Sequence, residues 1–186
     1  MLGEGVNSEL TQISTEARVF FARYAYPDWL RTHSLVVGRI AETIAAAHAG
    51  VSGAARDIAL AGYLHDIGRS PLVAGDPREH NELSALILAT EGLAGAVEPA
   101  RRHAIYTVLD PATAPATLAD KIVYVADRRG GMRVESVDDR AGDTARRHPR
   151  FAADIERAIP IAKTLELEVF AGLPFAPKEL EAHLVS

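Results

Sequence analysis

Apolar residues recur three and four positions apart along most of the chain, between breaks formed by glycine and proline. In residues 28–48 such a stripe contains Leu30, Val37, Ile40 and Ile44, which is the pattern of one face of an α-helix. The alternation of apolar and polar residues that marks a half-buried strand is hard to find, and the abundant alanine, leucine and arginine favour helix. The sequence therefore predicts an all-α fold, a compact bundle of several helices.

The breaks predict where the helices begin and end. We expect helices over about residues 8–24, 28–48, 96–109 and 116–129, and further helices after Ser52, from His80, after Ser136 and after Pro149. Asp28, Ser52 and Ser136 are the predicted capping residues. Pro160 predicts a bend or break in the last long helix, because proline removes a helical hydrogen bond. The segment from Pro174 is expected to be a short terminal helix or a loose tail.

Composition excludes several classes of protein and of site. The chain has 186 residues with 20 Lys and Arg against 25 Asp and Glu, a formal charge of −5, which argues against a nucleic-acid or anionic-membrane binder. No apolar run is long enough to span a bilayer, and the first residues lack the pattern of a signal peptide, so we expect a cytoplasmic protein. Cysteine is absent, and any metal must be held by His, Asp and Glu.

Histidine and aspartate fall on the inward faces of the predicted helices. His33 occupies a gap in the stripe between Leu30 and Val37, and His65 continues a face that carries Ile58 and Ala61. One buried histidine is more often a hydrogen-bonded core residue than a metal ligand. Several such groups in one core would cost about 1–3 kcal/mol each without partners. A metal ion removes this cost by using their lone pairs, so the combination predicts a metal site.

The order of these residues resembles the HD-domain metal-dependent phosphohydrolases. His33 is followed after 32 residues by His65-Asp66, in the sequence Leu-His-Asp-Ile-Gly-Arg, and a further aspartate lies downstream. The resemblance covers roughly residues 30–133. It implies a single HD domain over 1–186, with a core at about 28–133 and C-terminal helices at 134–186.

A narrower resemblance involves His80, His103 and the run Lys-Ile-Val-Tyr-Val-Ala-Asp at 121–127. These features are similar to the small bacterial HD proteins that hydrolyse diadenosine tetraphosphate symmetrically. That subgroup has an extra pair of histidines and binds two metal ions, often iron. The resemblance thus implies two divalent ions, most simply iron, with manganese or zinc as alternatives.

The resemblance also implies a set of ligands. We assign His33, His65, Asp66 and Asp127 to one ion, and His80 and His103 to the second, with Asp66 as the bridge. Asp120 competes with Asp127, because the two lie seven residues apart on the same side of one helix. We prefer Asp127, since it ends the run that resembles the family.

Three residues at the edge of the expected site are candidates for substrate binding. Arg69 is suited to bind phosphate through its two-pronged guanidinium, and with Asp66 we assign it a catalytic role. Arg128 is the candidate from the cluster that also contains Arg129 and Arg133. Tyr106 is suited to stack on a nucleobase, whereas Trp29 is expected to pack in the core.

These assignments predict hydrolysis of a nucleotide or dinucleoside polyphosphate through a metal-bound hydroxide. The alternatives are a nucleoside monophosphatase, a cyclic-nucleotide phosphodiesterase, a non-catalytic nucleotide-binding module and a di-iron oxygenase. The expected partner is a small nucleotide rather than nucleic acid or a membrane, and a homodimer is possible.

Overall fold

The computed structural model describes residues 4–184, with side chains from residue 12 onward. Within this part of the chain there is no strand, and only one isolated bridge pairs Gly130 with Val134. None of the described helices is both long enough and apolar enough to cross a membrane. The all-α prediction is confirmed. The helices are α1 (Glu4–Arg23), α2 (Asp28–Ala47), α3 (Ala55–Leu64), α4 (His80–Thr90), α5 (Ala94–Arg101), α6 (Leu118–Arg129), α7 (Val137–Arg147) and α8 (Ala152–Phe170).

Only one of the three predicted capping residues caps its helix. The Ser136 hydroxyl accepts a hydrogen bond from the Asp139 backbone N–H at the start of α7, as predicted. Asp28 is already the first residue of α2, so Pro27 occupies its cap position. Ser52 has helical backbone angles at the end of a 3-10 turn. The cap position of α3 falls instead on Ala54, which has no side chain for the purpose.

The predicted helix over 96–109 is wrong. Helix α5 ends at Arg101, and the chain resumes as a 3-10 helix at Ile105–Leu109. In a continued helix the Ala100 carbonyl would accept the N–H of Ala104. The Ala100 carbonyl is hydrogen-bonded instead to the His103 side chain, whose Nδ1 lies 2.6 Å from the oxygen. The interruption leaves His103 between two elements with its ring buried.

Helix α8 runs without interruption through Pro160, so the predicted break is wrong, while a bend at this position stays a prediction. Proline leaves the carbonyl of Glu156 without its helical donor, but both residues are exposed, and water can replace the lost bond. The opposite face of α8 is buried and holds the helix in place. After it, a 3-10 helix at Pro177–His183 matches the predicted short terminal helix.

Close packing of α2 on α3 brings the first half of the candidate site together. A Cβ atom added at Gly38 would lie 1.9 Å from the Tyr63 ring, and one at Gly62 would lie 2.5 Å from the Ala41 Cβ. Helix α6 packs against α2, α3, α5 and α8, and its apolar residues Ile122–Ala126 are fully buried. Most of the buried apolar residues from Ala17 to Leu180 form one cluster. Polar side chains on the inward faces therefore meet near the centre of the bundle.

Candidate metal centre

The first cluster of polar side chains joins α2, the end of α3 and α6. The Nε2 atoms of His33 and His65 lie 3.2 Å apart. Asp127 Oδ1 lies 3.3 Å from His33 Nε2 and 3.8 Å from His65 Nε2. All three side chains are buried, and their ligand atoms are close enough together to hold one metal ion.

A second cluster adjoins the first through Asp66. His80 is the first residue of α4, and its Nε2 lies 3.3 Å from His103 Nε2. Asp66 Oδ1 lies 3.5 Å from His80 Nε2 and 3.3 Å from His103 Nε2. The other oxygen, Oδ2, lies 3.7 Å from the Nε2 atoms of both His33 and His65. Asp66 therefore presents one carboxylate oxygen to each pair of imidazoles.

Backbone carbonyls fix the orientation of the imidazole rings. His65 Nδ1 lies 2.8 Å from the Gly62 carbonyl, and His33 Nδ1 lies 3.3 Å from that of Gly131. His103 makes the contact with Ala100 described above. A carbonyl oxygen can only accept, so each of these Nδ1 atoms carries a proton, and Nε2 is the nitrogen turned toward the cluster. A hydrogen bond from Nδ1 to a carbonyl is usual for histidines that bind metal through Nε2.

The protonation states suit metal binding at neutral pH. Burial lowers the pKa values of His65 and His80 to about 3, although nearby carboxylates oppose the shift, so both rings are neutral. Burial acts to raise the pKa of Asp66, but Arg69 and the neighbouring imidazoles hold it well below its usual range. For Asp127 the same effect of burial is overcome by Arg128 and His33. Both carboxylates are therefore ionised.

The donor set fits a divalent cation. The Nε2 atoms of His33 and His65 lie 3.2 Å apart, close enough for both to bind the same cation. The buried Asp127 Oδ1 has no hydrogen-bond donor among the described residues. Imidazole and carboxylate together suit iron, manganese and zinc. All six predicted ligands converge in this region, while their binding of a metal stays a prediction.

Arg69 lies against the second cluster rather than free at its edge. Its Nε donates to Asp66 Oδ1 at 2.8 Å, and its Nη2 donates to His80 Nε2 at 3.0 Å. The side chain is nevertheless 40% exposed. Arg69 thus contacts two predicted ligands and solvent at once, and a metal ion would compete with it for the same two atoms.

The arginines that follow Asp127 have separate surroundings. Arg128 is buried, pairs with Asp127 Oδ2 and places its guanidinium 5.3 Å from the centre of the Tyr124 ring. Arg129 pairs with Glu166 and donates to the Pro177 carbonyl. Arg133 is exposed. The substrate-binding role assigned to Arg128 stays a prediction for a residue that is here engaged with a predicted ligand.

The two aromatic residues differ from each other. Tyr106 is partly buried and donates its hydroxyl hydrogen to Asn81 Oδ1 at 2.9 Å, and burial raises its pKa to about 12. The expectation that Trp29 packs in the core is wrong, since it is 50% exposed. It lies in the first turn of α2, one turn before His33.

Asp120 is occupied away from the clusters. Its carboxylate accepts hydrogen bonds from the backbone N–H groups of Ala116 and Thr117, and Thr117 reciprocates as the cap of α6. This capping box accounts for the buried carboxylate. Asp127, about two turns further along the same side of α6, is the aspartate that reaches the imidazoles.

Sequence reasoning missed two residues near the centre. Arg140 of α7 is only 13% exposed, and its Nη2 lies 3.7 Å from Asp127 Oδ1. Burial and the nearby Asp66 charge raise the pKa of Tyr26 well above its usual value, and its buried hydroxyl has no hydrogen-bond partner among the described residues. Arg140 stands in a strongly charged helix that gives no local signal of a buried contact. Tyr26 lies in a turn outside the helical periodicity.

Residues 30–132 match the family described as HD domain. The chain belongs to the HD-domain family. This family is part of a superfamily of metal-dependent phosphohydrolases, and its members bind divalent metal ions. The matched segment of the HD domain contains all six predicted ligands, whereas α7 and α8 lie beyond it. No curated protein and no solved structure gives a significant match to the chain.

Proposed function

We propose that this HD domain is a two-metal phosphohydrolase that acts on nucleotides with a polyphosphate chain, in particular diadenosine tetraphosphate cut symmetrically. The observation that carries the proposal is the position of Asp66, which presents Oδ1 to one pair of imidazoles and Oδ2 to the other. A carboxylate shared in this way is suited to bridge two divalent ions. A site for one ion would leave His80 and His103 without a function.

The residues of the chain have separable roles in such a reaction. His33, His65, Asp66 and Asp127 would hold one ion, and His80 and His103 would complete the second site with Asp66. Bound divalent ions supply a lowered pKa for coordinated water and polarise a phosphoryl oxygen. Arg69 would turn from Asp66 and His80 to a phosphate oxygen, a movement favoured by its partial exposure. Its guanidinium would then stabilise the negative charge that develops during hydrolysis.

A polyphosphate substrate agrees with the cations around the site. Arg69, Arg128 and Arg140 all lie within ion-pair distance of Asp66 or Asp127. Their charge exceeds that of the two carboxylates before any metal is bound. One phosphate monoester does not require this excess, whereas a chain of phosphates can engage several cations. The family resemblance in the sequence leads to the same substrate.

The test is a substrate comparison on protein whose metal content has been measured. After loading with iron, manganese or zinc, kcat/KM is determined for diadenosine tetraphosphate, nucleoside monophosphates and cyclic dinucleotides. We expect the first to be the best substrate and ADP to be its only nucleotide product. Better hydrolysis of the monophosphates, or ATP and AMP as products, would contradict the proposal.

Two sets of variants complete this test. His65→Ala and Asp66→Ala should each lower bound metal and abolish hydrolysis with helical circular dichroism retained, because loss of even a second-shell partner costs about 10–100-fold. His148→Ala is the matched control, since His148 is exposed at the end of α7. Arg69→Ala should reduce turnover of the polyphosphate more than that of a small aryl phosphate. Equal effects on both would remove the argument for a polyphosphate.

A further inference from the structure

We propose that a cleft beside the second imidazole pair binds one nucleobase of the substrate by stacking, with little selection between bases. The cleft encloses about 210 Å³, and its wall includes Asn81, Arg102, Tyr106, Thr107, Ala112 and Thr113. Sites for drug-sized ligands are larger, roughly 300–1,000 Å³. This space therefore suits a single ring system rather than a whole nucleotide. The inference rests on the proposed function and specifies how its substrate is held.

The cleft is contiguous with the candidate metal centre along the chain and in space. Asn81 follows His80, and Arg102 precedes His103, so wall residues are direct neighbours of two predicted ligands. The Tyr106 hydroxyl donates to Asn81 Oδ1 at 2.9 Å, and Asn81 adjoins His80, which Arg69 contacts. A base in the cleft would accordingly have its phosphates directed toward Arg69 and the imidazoles. A larger cleft of about 760 Å³, between the α6–α7 connection and the C-terminal 3-10 helix, includes none of the predicted ligands.

The charges on the wall of the cleft neutralise one another. Two glutamates, Glu79 and Glu82, stand against two arginines, Arg101 and Arg102. Arg101 pairs with Glu82 and with Glu98. Since no cation is left over to attract phosphate, the cleft favours an uncharged ring over a second phosphate group.

The wall is also fixed in position before a ligand arrives. The Arg102 guanidinium donates to the carbonyls of Ala112 and Ala114, at 3.3 and 2.7 Å, and thereby holds the loop after the 3-10 helix. The Tyr106 hydroxyl is held by Asn81 Oδ1, and Asn81 Nδ2 donates to the Arg101 carbonyl. A ring held in this way loses little conformational entropy when a base stacks on it.

Hydrogen-bonding groups of the cleft are already used within the protein. Thr107 Oγ1 donates to the carbonyls of Arg102 and Ala104, and Thr113 Oγ1 donates to those of Thr107 and Asp110. Asn81 has both of its polar atoms engaged. Strong selection between bases requires polar groups that only the correct base can satisfy. We therefore expect adenine and guanine substrates to differ by no more than about threefold in kcat/KM.

The experiment separates the base from the phosphates. Ala112→Trp fills the cleft from an exposed alanine, and Ala171→Trp is the control at an exposed alanine at the end of α8. For each protein, kcat/KM is measured with diadenosine tetraphosphate and with tripolyphosphate, which has no base. We expect Ala112→Trp to lower kcat/KM for diadenosine tetraphosphate, relative to kcat/KM for tripolyphosphate, by about tenfold, in line with the loss of one stacked base. Ala171→Trp should leave the ratio as in the wild type.

A second measurement does not depend on hydrolysis. Adenosine at about 1–10 mM should shift the backbone amide resonances of Tyr106, Thr107, Ala112 and Thr113 in the metal-free wild type. The Ala112→Trp variant should lose this response. Shifts confined to other residues, or none, would overturn the inference.

The two measurements distinguish failure of the cleft from failure of the function. If Ala112→Trp is active and its ratio of kcat/KM for diadenosine tetraphosphate to kcat/KM for tripolyphosphate is unchanged, the cleft does not bind the base. The proposed phosphohydrolase function would not be affected by that result. A protein that hydrolyses no phosphate compound with any of the three metals refutes the proposed function, and the adenosine measurement then still decides whether the cleft binds a base.

Discussion

At the scale of single residues, two aspartates on one helix have opposite surroundings. Asp127 Oδ1 lies 3.3 Å from His33 Nε2 and lacks a hydrogen-bond donor among the described residues. Asp120 accepts two backbone hydrogen bonds in the first turn of α6. One carboxylate has oxygen lone pairs that face the imidazoles, and the other has its lone pairs committed to the backbone.

Substitution to asparagine should separate these roles. Asp127→Asn removes the charge that faces the imidazoles, and we expect it to lower turnover by more than about 100-fold together with metal content. Asp120→Asn keeps an oxygen acceptor and should lower the free energy of unfolding by only about 0.3–1 kcal/mol. Metal analysis, turnover and thermal unfolding of both variants provide the check. Loss of metal in Asp120→Asn with normal metal in Asp127→Asn would reverse the assignment.

At the scale of elements, α2 and α3 share a buried polar pair as well as glycine contacts. Tyr63 donates its hydroxyl hydrogen to Glu42 Oε2 at 2.6 Å, while Glu42 Oε1 has no hydrogen-bond partner among the described residues. Burial raises the pKa of Glu42 from its ordinary value of 4.5, although Tyr63 and Arg39 oppose the shift. The interface between these helices therefore favours the protonated carboxyl.

This pair should make the stability of the bundle depend on pH. Between the unfolded pKa near 4.5 and the raised folded pKa, the folded state binds more protons than the unfolded state. The free energy of unfolding therefore falls as pH rises through this window. We expect Glu42→Gln, which keeps an acceptor for Tyr63, to flatten the decline seen in denaturant unfolding from pH 5 to 8. Glu181→Gln changes an exposed glutamate and serves as the control; an equal decline in wild type and Glu42→Gln would exclude the effect.

At the scale of the whole molecule, the C-terminal helices reach the centre through Arg140. Its Nε donates to the Gly130 carbonyl at 2.9 Å, its Nη1 donates to Thr144, and its Nη2 lies near Asp127. Burial lowers the pKa of this guanidinium, with Asp127 acting in the opposite direction. Arg140 thus supplies part of the positive charge that balances Asp127 before metal is bound.

Removing this charge should affect the metal-free protein more than the loaded one. Arg140→Met removes the hydrogen bonds of Arg140 in both states. In the loaded state the charge of the metal ion still balances the Asp127 carboxylate, whereas the metal-free protein has lost part of that balance. We expect the metal-free protein to lose about 2–3 kcal/mol of stability and the loaded protein less, with tighter metal binding. Thermal unfolding with and without metal measures the difference. Arg133→Met is the control at an exposed arginine, and equal losses in both states would assign Arg140 to packing alone.

The sequence determines the helical elements better than it determines their contacts. Periodicity places His33 on the inward face of α2 because the apolar stripe around it is local. The exit of the chain after Arg101 depends on the contact between His103 and the Ala100 carbonyl, which no apolar pattern encodes. Likewise, Trp29 adjoins an apolar residue in sequence, but half of its surface stays exposed.

For the candidate site, too, the sequence predicts the residues but not all of their contacts. Donor chemistry and the family resemblance predicted the six side chains, and the structure brings them together. The contact of Arg69 with His80, and that of Arg140 with Asp127, could not be predicted. Each joins side chains of two separate elements and depends on how those elements pack against each other.

The contact of Arg140 with Asp127 has a consequence for protein engineering. A chimera that exchanges only residues 30–132, the segment matched to the family, would transfer Asp127 into a host whose next helix carries no matching guanidinium. Even if the transferred segment folded in the host, the buried Asp127 carboxylate would lack one of the cations that balance its charge. For this chain, a transplant that keeps the charge balance of Asp127 must include α7 as well.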